Sequence, residues 1–129
     1  MGKPPSLISI VEDDPTVRRA LGRMVRSFGC KVELFGSARE YLEVPHIERT
    51  DCLILDVIMP GMNGLELLAT LQESGQKIPT VFISAHTDAV YIEKARSLGS
   101  IAYLQKPCEM DVLLDAIEKA LAANDAPRS

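Results

Sequence analysis

Basic charge is what this sequence has little of: 14 lysines and arginines stand against 18 aspartates and glutamates in 129 residues, a formal net charge of −4. A domain that grips nucleic acid or an anionic membrane with its own surface carries a basic excess, so any such binding must come from elsewhere. Cysteine is sparse as well. Cys30, Cys52 and Cys108 are odd in number, widely spaced and without a C-x-x-C pair, which argues against a disulfide framework or a zinc site and for a reducing, cytoplasmic setting. No apolar run approaches the roughly 20 residues that span a bilayer, and Lys3-Pro4-Pro5 opens no secretion signal. The nucleotide-binding patterns GxxxxGK[ST] and GxGxxG are missing, and no Ser-His-Asp arrangement is evident. MGKPPS fits the loose acylation pattern M-G-x-x-x-[ST], but residues 1–5 are expected to be a plain leader.

What is present is an alternation. Short apolar runs at Leu7–Val11, Lys31–Phe35, Cys52–Leu55, Thr80–Ile83 and Ile101–Leu104 read as five strands. Amphipathic stretches separate them. The first places Val17, Leu21, Met24, Val25 and Phe28 on one face, with Asp14 as N-cap, Pro15 in the first turn and Gly29 as the stop. Ser37 and Glu40 have capping-box spacing; Leu65, Leu68 and Leu71 recur every three residues; Leu113, Leu114, Ile117 and Leu121 make the last stripe. The helical pattern is weakest over 88–98. Five strands interleaved with five helices imply an α/β doubly wound domain, because parallel strands need crossover connections and these cover both faces of the sheet. A domain over residues 6–123 is expected, with 124–129 as a frayed tail or the start of a linker.

In such a sheet ligands bind beyond the carboxyl ends of the strands. Strand 1 ends in Glu12 and Asp13, strand 3 in Asp56, strand 4 in Ser84 and strand 5 in Lys106, so three carboxylates, a hydroxyl and an ammonium are expected to meet. Clustered carboxylates repel, and a hard divalent cation with oxygen ligands, Mg²⁺ above all, relieves them. Asp14, and less well Asp13, is also explained as a loop or cap acid, and Asp56 with Lys106 as a buried ion pair. A carboxylate beside Mg²⁺ and a lysine can attack phosphorus to give an aspartyl phosphate, with Ser84 donating to one phosphoryl oxygen and Lys106 facing another. Taken alone, Tyr103 reads as a half-buried strand aromatic and His86 as a solvated loop residue.

VEDD at 11–14, LDVIMPGMNG at 55–64, FISA at 82–85 and YLQKP at 103–107, in that order, resemble the receiver domain of two-component response regulators, over nearly the whole chain. The resemblance implies a flavodoxin-like, CheY-like fold with sheet order 2-1-3-4-5, in which Asp56 accepts phosphate from a histidine kinase. It implies that Asp13 and Asp56 bind Mg²⁺ directly, Glu12 through water, and that the backbone carbonyl of Ile58 completes the protein ligands. Ser84 and Lys106 look like the family's switch hydroxyl and lysine, Tyr103 like its rotating aromatic, and Lys106-Pro107 like its cis peptide. FGSAREYL and KPCEMDVLLDAIEKAL look most like FixJ-type members of the LuxR output group, whose DNA-binding helix-turn-helix domain would lie outside this chain; an isolated receiver piece and a free-standing single-domain regulator both fit. Cys108 departs from the family, which often has Phe or Tyr after Lys-Pro, and looser packing is expected there.

Two classes compete. A signalling switch takes up one phosphoryl group, moves Ser84 and Tyr103, and changes a partner surface, with homodimers as one outcome. A small Mg²⁺-dependent phosphatase or phosphotransferase would turn Asp56 over repeatedly, and would also need a general acid and a substrate pocket. The switch is the preferred reading, which makes the chain no enzyme beyond its own phosphorylation and dephosphorylation.

Overall fold

Chain order is β1 (Leu7–Val11), α1 (Pro15–Ser27), β2 (Lys31–Phe35), α2 (Ala38–Leu42), a 3-10 turn (Ile47–Arg49), β3 (Cys52–Leu55), α3 (Gly64–Glu73), β4 (Thr80–Ser84), α4 (Ala89–Ser97), β5 (Ala102–Gln105) and α5 (Met110–Asp125). This computed structural model describes residues 5–45 and 47–125, without the side chains of Glu48 and Asp125. The leader before Pro5, with most of the acylation pattern, and the tail after Asp125 lie outside the described residues.

The five strands form one parallel sheet in the order β2-β1-β3-β4-β5. Burial follows from that order. β3 and β4 are buried throughout, as is β1 from its second residue on, whereas the edge strands β2 and β5 stay partly exposed. Strand side chains alternate between two cores, as a two-residue period requires. Ile8, Ile10, Ile54, Val81 and Ile83 meet Leu21 and Val25 of α1 and Leu113 and Ile117 of α5. Val11, Leu53, Leu55 and Phe82 meet Tyr41 of α2, Leu67, Leu68 and Leu71 of α3, and Ala95 of α4. Each fully buried Leu, Ile or Phe contributes on the order of 2 kcal/mol.

Local chemistry sets the helix ends. Asp14 accepts from the N–H groups of Thr16 (2.9 Å) and Val17 (3.3 Å), Pro15 opens α1, and Gly29 follows it at φ +86°. Ser37 accepts from the Glu40 N–H at 3.1 Å, but the Glu40 carboxylate returns to the N–H of Gly36 rather than to that of Ser37. α4 is the lightly held helix: Asp88 makes no side-chain cap bond, Ala95 is its one buried residue, and Val90 is 70% exposed. Ser9 on β1 faces a buried hydroxyl chain in which Thr50 Oγ1 lies 2.9 Å from both Ser9 Oγ and Tyr41 Oη, so these polar groups enter the core satisfied. Among the described residues no helix is long and apolar enough to cross a membrane.

α3 begins against the back of the strand-3 acid. Asn63 and Glu66 cap each other's N–H groups, and the Gly64 N–H donates to the Val57 carbonyl at 2.9 Å. A Cβ on Gly64 would lie 2.1 Å from the Asp56 carbonyl oxygen, so only glycine lets the helix approach this closely. Gly64→Ala is expected to destabilise the domain by about 3 kcal/mol, measured by urea unfolding, because rigid backbone must move. A loss below about 1 kcal/mol would show that the approach is not a tight constraint.

Candidate functional site

The sheet ladder runs one residue past the strands, and this fixes the site. The Glu12 N–H donates to the Phe35 carbonyl (3.0 Å), the Asp56 N–H to the Val11 carbonyl (3.1 Å) and the Lys106 N–H to the Ser84 carbonyl (2.9 Å). The side chains that follow from these anchored backbones converge. Carboxylate oxygens of Glu12, Asp13 and Asp56 lie within 4.8 Å of one another, Glu12 and Asp56 being only 2% and 7% exposed while Asp13 is open to solvent. Arg18 of α1 donates to the carbonyls of Glu12 (2.8 Å) and Asp13 (3.4 Å), pinning the acidic loop.

Lys106 answers the acids. Its ammonium donates to Glu12 Oε1 in a short hydrogen bond and to Asp56 Oδ2 at 3.1 Å. Glu12 Oε2 accepts the Asp14 N–H at 3.1 Å, so both of its oxygens already have protein partners. Burial nevertheless pushes the Glu12 carboxyl up to about 7, against the hydrogen bonds from Lys106 and Asp14, and the charge of Asp56 adds to the rise. Burial alone would lower the Lys106 ammonium; the hydrogen bonds to Glu12 and Asp56 outweigh it and hold the group above its ordinary value.

One ammonium cannot neutralise three ionised carboxylates. The donor set is all oxygen, with Asp13 exposed and the Ile58 carbonyl engaged by no hydrogen bond among the described residues, and this suits a hard divalent cation such as Mg²⁺. The Ile58 side chain, 40% exposed, stands beside Val57 and Met59, which are both buried.

Ser84 is fully buried at the end of β4, where its Oγ accepts the N–H of His86 at 3.0 Å, leaving the hydroxyl hydrogen to donate elsewhere. Half-buried Tyr103 donates its hydroxyl to the His86 carbonyl at 2.5 Å, with its ring centroid 6.0 Å from that of Phe82. The serine and the tyrosine are thus tied to one residue. The His86 imidazole stays exposed, edge-on to Tyr91 at 6.4 Å, and it is the backbone of His86 that matters here, a role no sequence pattern signals. The Lys106-Pro107 peptide is cis. Beyond it, a crevice of about 360 Å³ lies between α1 and Cys108, lined by Val17, Ala20, Met24 and Ile83. The small Cys108 side chain stands at that rim.

Residues 8–118 match the family described as response regulator receiver domain, and the chain belongs to it. It is 42% identical over 124 residues to the response regulator protein TodT of Pseudomonas putida, covering 96% of this chain and 55% of TodT. It is 34% identical to the transcriptional regulatory protein FixJ of Rhizobium meliloti, over 88% of this chain and 55% of FixJ. The chain therefore spans about half the length of these relatives. The crystal structure of FixJ-N superposes with a TM-score of 0.84 at 29% identity, covering 98% of this chain and 99% of that one. The sheet order and the FixJ-type resemblance read from the sequence both hold.

Glu12 sets a pH dependence with a definite sign. Its folded value of about 7 lies above the ordinary 4.5, so between these values the folded state holds a proton that the unfolded state has lost, and stability falls as pH rises. Without metal, the domain is expected to lose on the order of 2 kcal/mol between pH 5 and 8 relative to Glu12→Gln, which has no such proton to lose. Parallel stability–pH curves for the two proteins in EDTA would contradict this.

Proposed function

We propose that this chain is a phosphorylation-dependent switch in which Asp56 takes a phosphoryl group from a histidine kinase in the cytoplasm. The observation that carries the reading is the buried Asp56 carboxylate bonded to Lys106 and facing Glu12 and Asp13 within 4.8 Å. An Asp56 oxygen attacks phosphorus, the bond from phosphorus to the kinase histidine nitrogen breaks, and the imidazole leaves. Mg²⁺, held by Asp13, Asp56 and the Ile58 carbonyl with Glu12 acting through water, would neutralise charge on the transferring oxygens. Lys106 faces the same oxygens from the protein side. Its partnership with Glu12 keeps the ammonium in place when Asp56 changes charge.

Ser84 and Tyr103 supply the readout. A phosphoryl group on Asp56 offers the Ser84 hydroxyl a strong acceptor, and drawing Ser84 toward it weakens the bond to the His86 N–H. Tyr103 holds the carbonyl of that same residue, so the turn leading into lightly held α4 shifts with it. The surface of α4, β5 and α5 is where phosphorylation changes association, with a homodimer as the product. DNA is reached only through an output domain outside this chain, a role supported by relatives that are named transcriptional regulatory proteins and of which the match covers 52% and 55%.

Incubation with acetyl phosphate and Mg²⁺, followed by mass spectrometry, is expected to show one phosphate per chain, on Asp56. EDTA should abolish it, and Asp56→Asn should take up none while keeping the wild-type circular dichroism spectrum. Repeated release of phosphate from external esters, at more than one turnover per chain, would instead establish the phosphatase alternative.

A further inference from the structure

At the end of the sheet opposite the acids lies a second concave feature. A groove of about 1110 Å³ runs across the starts of β1 and β2 and the segment before β3. It is large enough for a nucleotide-sized ligand. Its charges invert the balance of the chain: Arg26 from the end of α1, Lys31 from the start of β2 and Arg49 from the 3-10 turn all line it, against Glu33 and Asp51, in a protein whose net charge is −4. Asp51 keeps its charge and is held in place by its hydrogen bonds, its Oδ2 accepting the Leu7 N–H at 2.8 Å and its Oδ1 the Asn124 side-chain N–H at 3.3 Å. Among the described residues three cations from three separate segments therefore face two acids across the groove.

We infer that this groove binds a soluble polyphosphate, a ligand with at least two adjacent phosphate groups. Three features select that chemistry. The volume exceeds what a single phosphate fills, the cations are spread over separate segments and so match distributed negative charge, and two of the three are arginines, whose planar fork suits phosphate oxygens. Asp56 sits at the opposite ends of the strands, so a ligand here leaves the phosphoacceptor open. Neither the phosphoryl chemistry proposed for Asp56 nor its metal is required.

The test is a titration of the ¹⁵N-labelled domain with pyrophosphate in Mg²⁺-free buffer, against sodium chloride at matched ionic strength. Saturable amide shifts are expected at Lys31, Val32 and Asp51, unchanged in Asp56→Asn and weakened at least tenfold in the double variant Arg26→Ala/Arg49→Ala. Both arginines are exposed, so the double variant should fold, and an unchanged spectrum away from the groove confirms it. Shifts reproduced by sodium chloride, shifts that persist in the double variant, or shifts lost in Asp56→Asn would each overturn the inference. Failure of Asp56 to take up phosphate leaves this result untouched, so the two readings fail separately.

Discussion

A single ammonium, Lys106 Nζ, stands between two buried carboxylates, Glu12 and Asp56, and the upper end of the sheet is organised around that shortage of positive charge. Ionised acids at the edge of a low-dielectric core repel strongly, and one lysine offsets only part of the repulsion. Burial raises the Glu12 carboxyl and the charge of Asp56 adds to the rise, while the converging oxygens form an arrangement that can accept further positive charge. In the proposed function this destabilised ground state is what the reaction draws on. A site neutralised within the protein would have no affinity left for a metal or for the electrophilic phosphorus that the proposed reaction requires.

The parallel sheet makes this concentration of charge tolerable. Backbone bonds to Phe35, Val11 and Ser84 hold Glu12, Asp56 and Lys106 from strands whose inner members are almost completely buried, so the acids cannot spread apart to relax. Gly64 closes the arrangement from behind by bringing the start of α3 against the Asp56 backbone. The neighbouring elements are held less firmly. α4 lacks a side-chain cap and buries one residue, so it is the element a small change at Ser84 and His86 can move at low cost.

Much of this was legible in the sequence, because strong local signals coincide with the fold. β1, β2 and β3 fall on their apolar runs, and Asp14, Pro15 and Gly29 delimit α1 as their chemistry predicts. β4 runs one residue further than its apolar pattern, to Ser84, and β5 is displaced by one, to Ala102–Gln105, since strand limits are set by the pairing of Ser84 with Gln105 rather than by hydrophobicity. The Asn63–Glu66 capping box was visible as N-x-x-E and was missed. The grip of Arg18 on the acidic loop, the backbone role of His86 and the close approach at Gly64 involve main-chain atoms, which every residue carries and which leave no compositional trace. The Ser9–Thr50–Tyr41 chain joins residues far apart in sequence, and single hydroxyls at those positions are unremarkable until they meet.

Whether Lys106 holds the place of missing positive charge is best measured by Mg²⁺ affinity. Thermal melts over a range of Mg²⁺ concentrations give the dissociation constant for the wild-type domain and for Lys106→Met, since a ligand that binds only the folded state raises stability with its concentration. With the ammonium gone, Glu12, Asp13 and Asp56 face one another without a protein counter-ion, and Mg²⁺ is expected to bind Lys106→Met at least tenfold more tightly than wild type. Equal or weaker Mg²⁺ binding by Lys106→Met would contradict the view that unbalanced carboxylate charge governs this site.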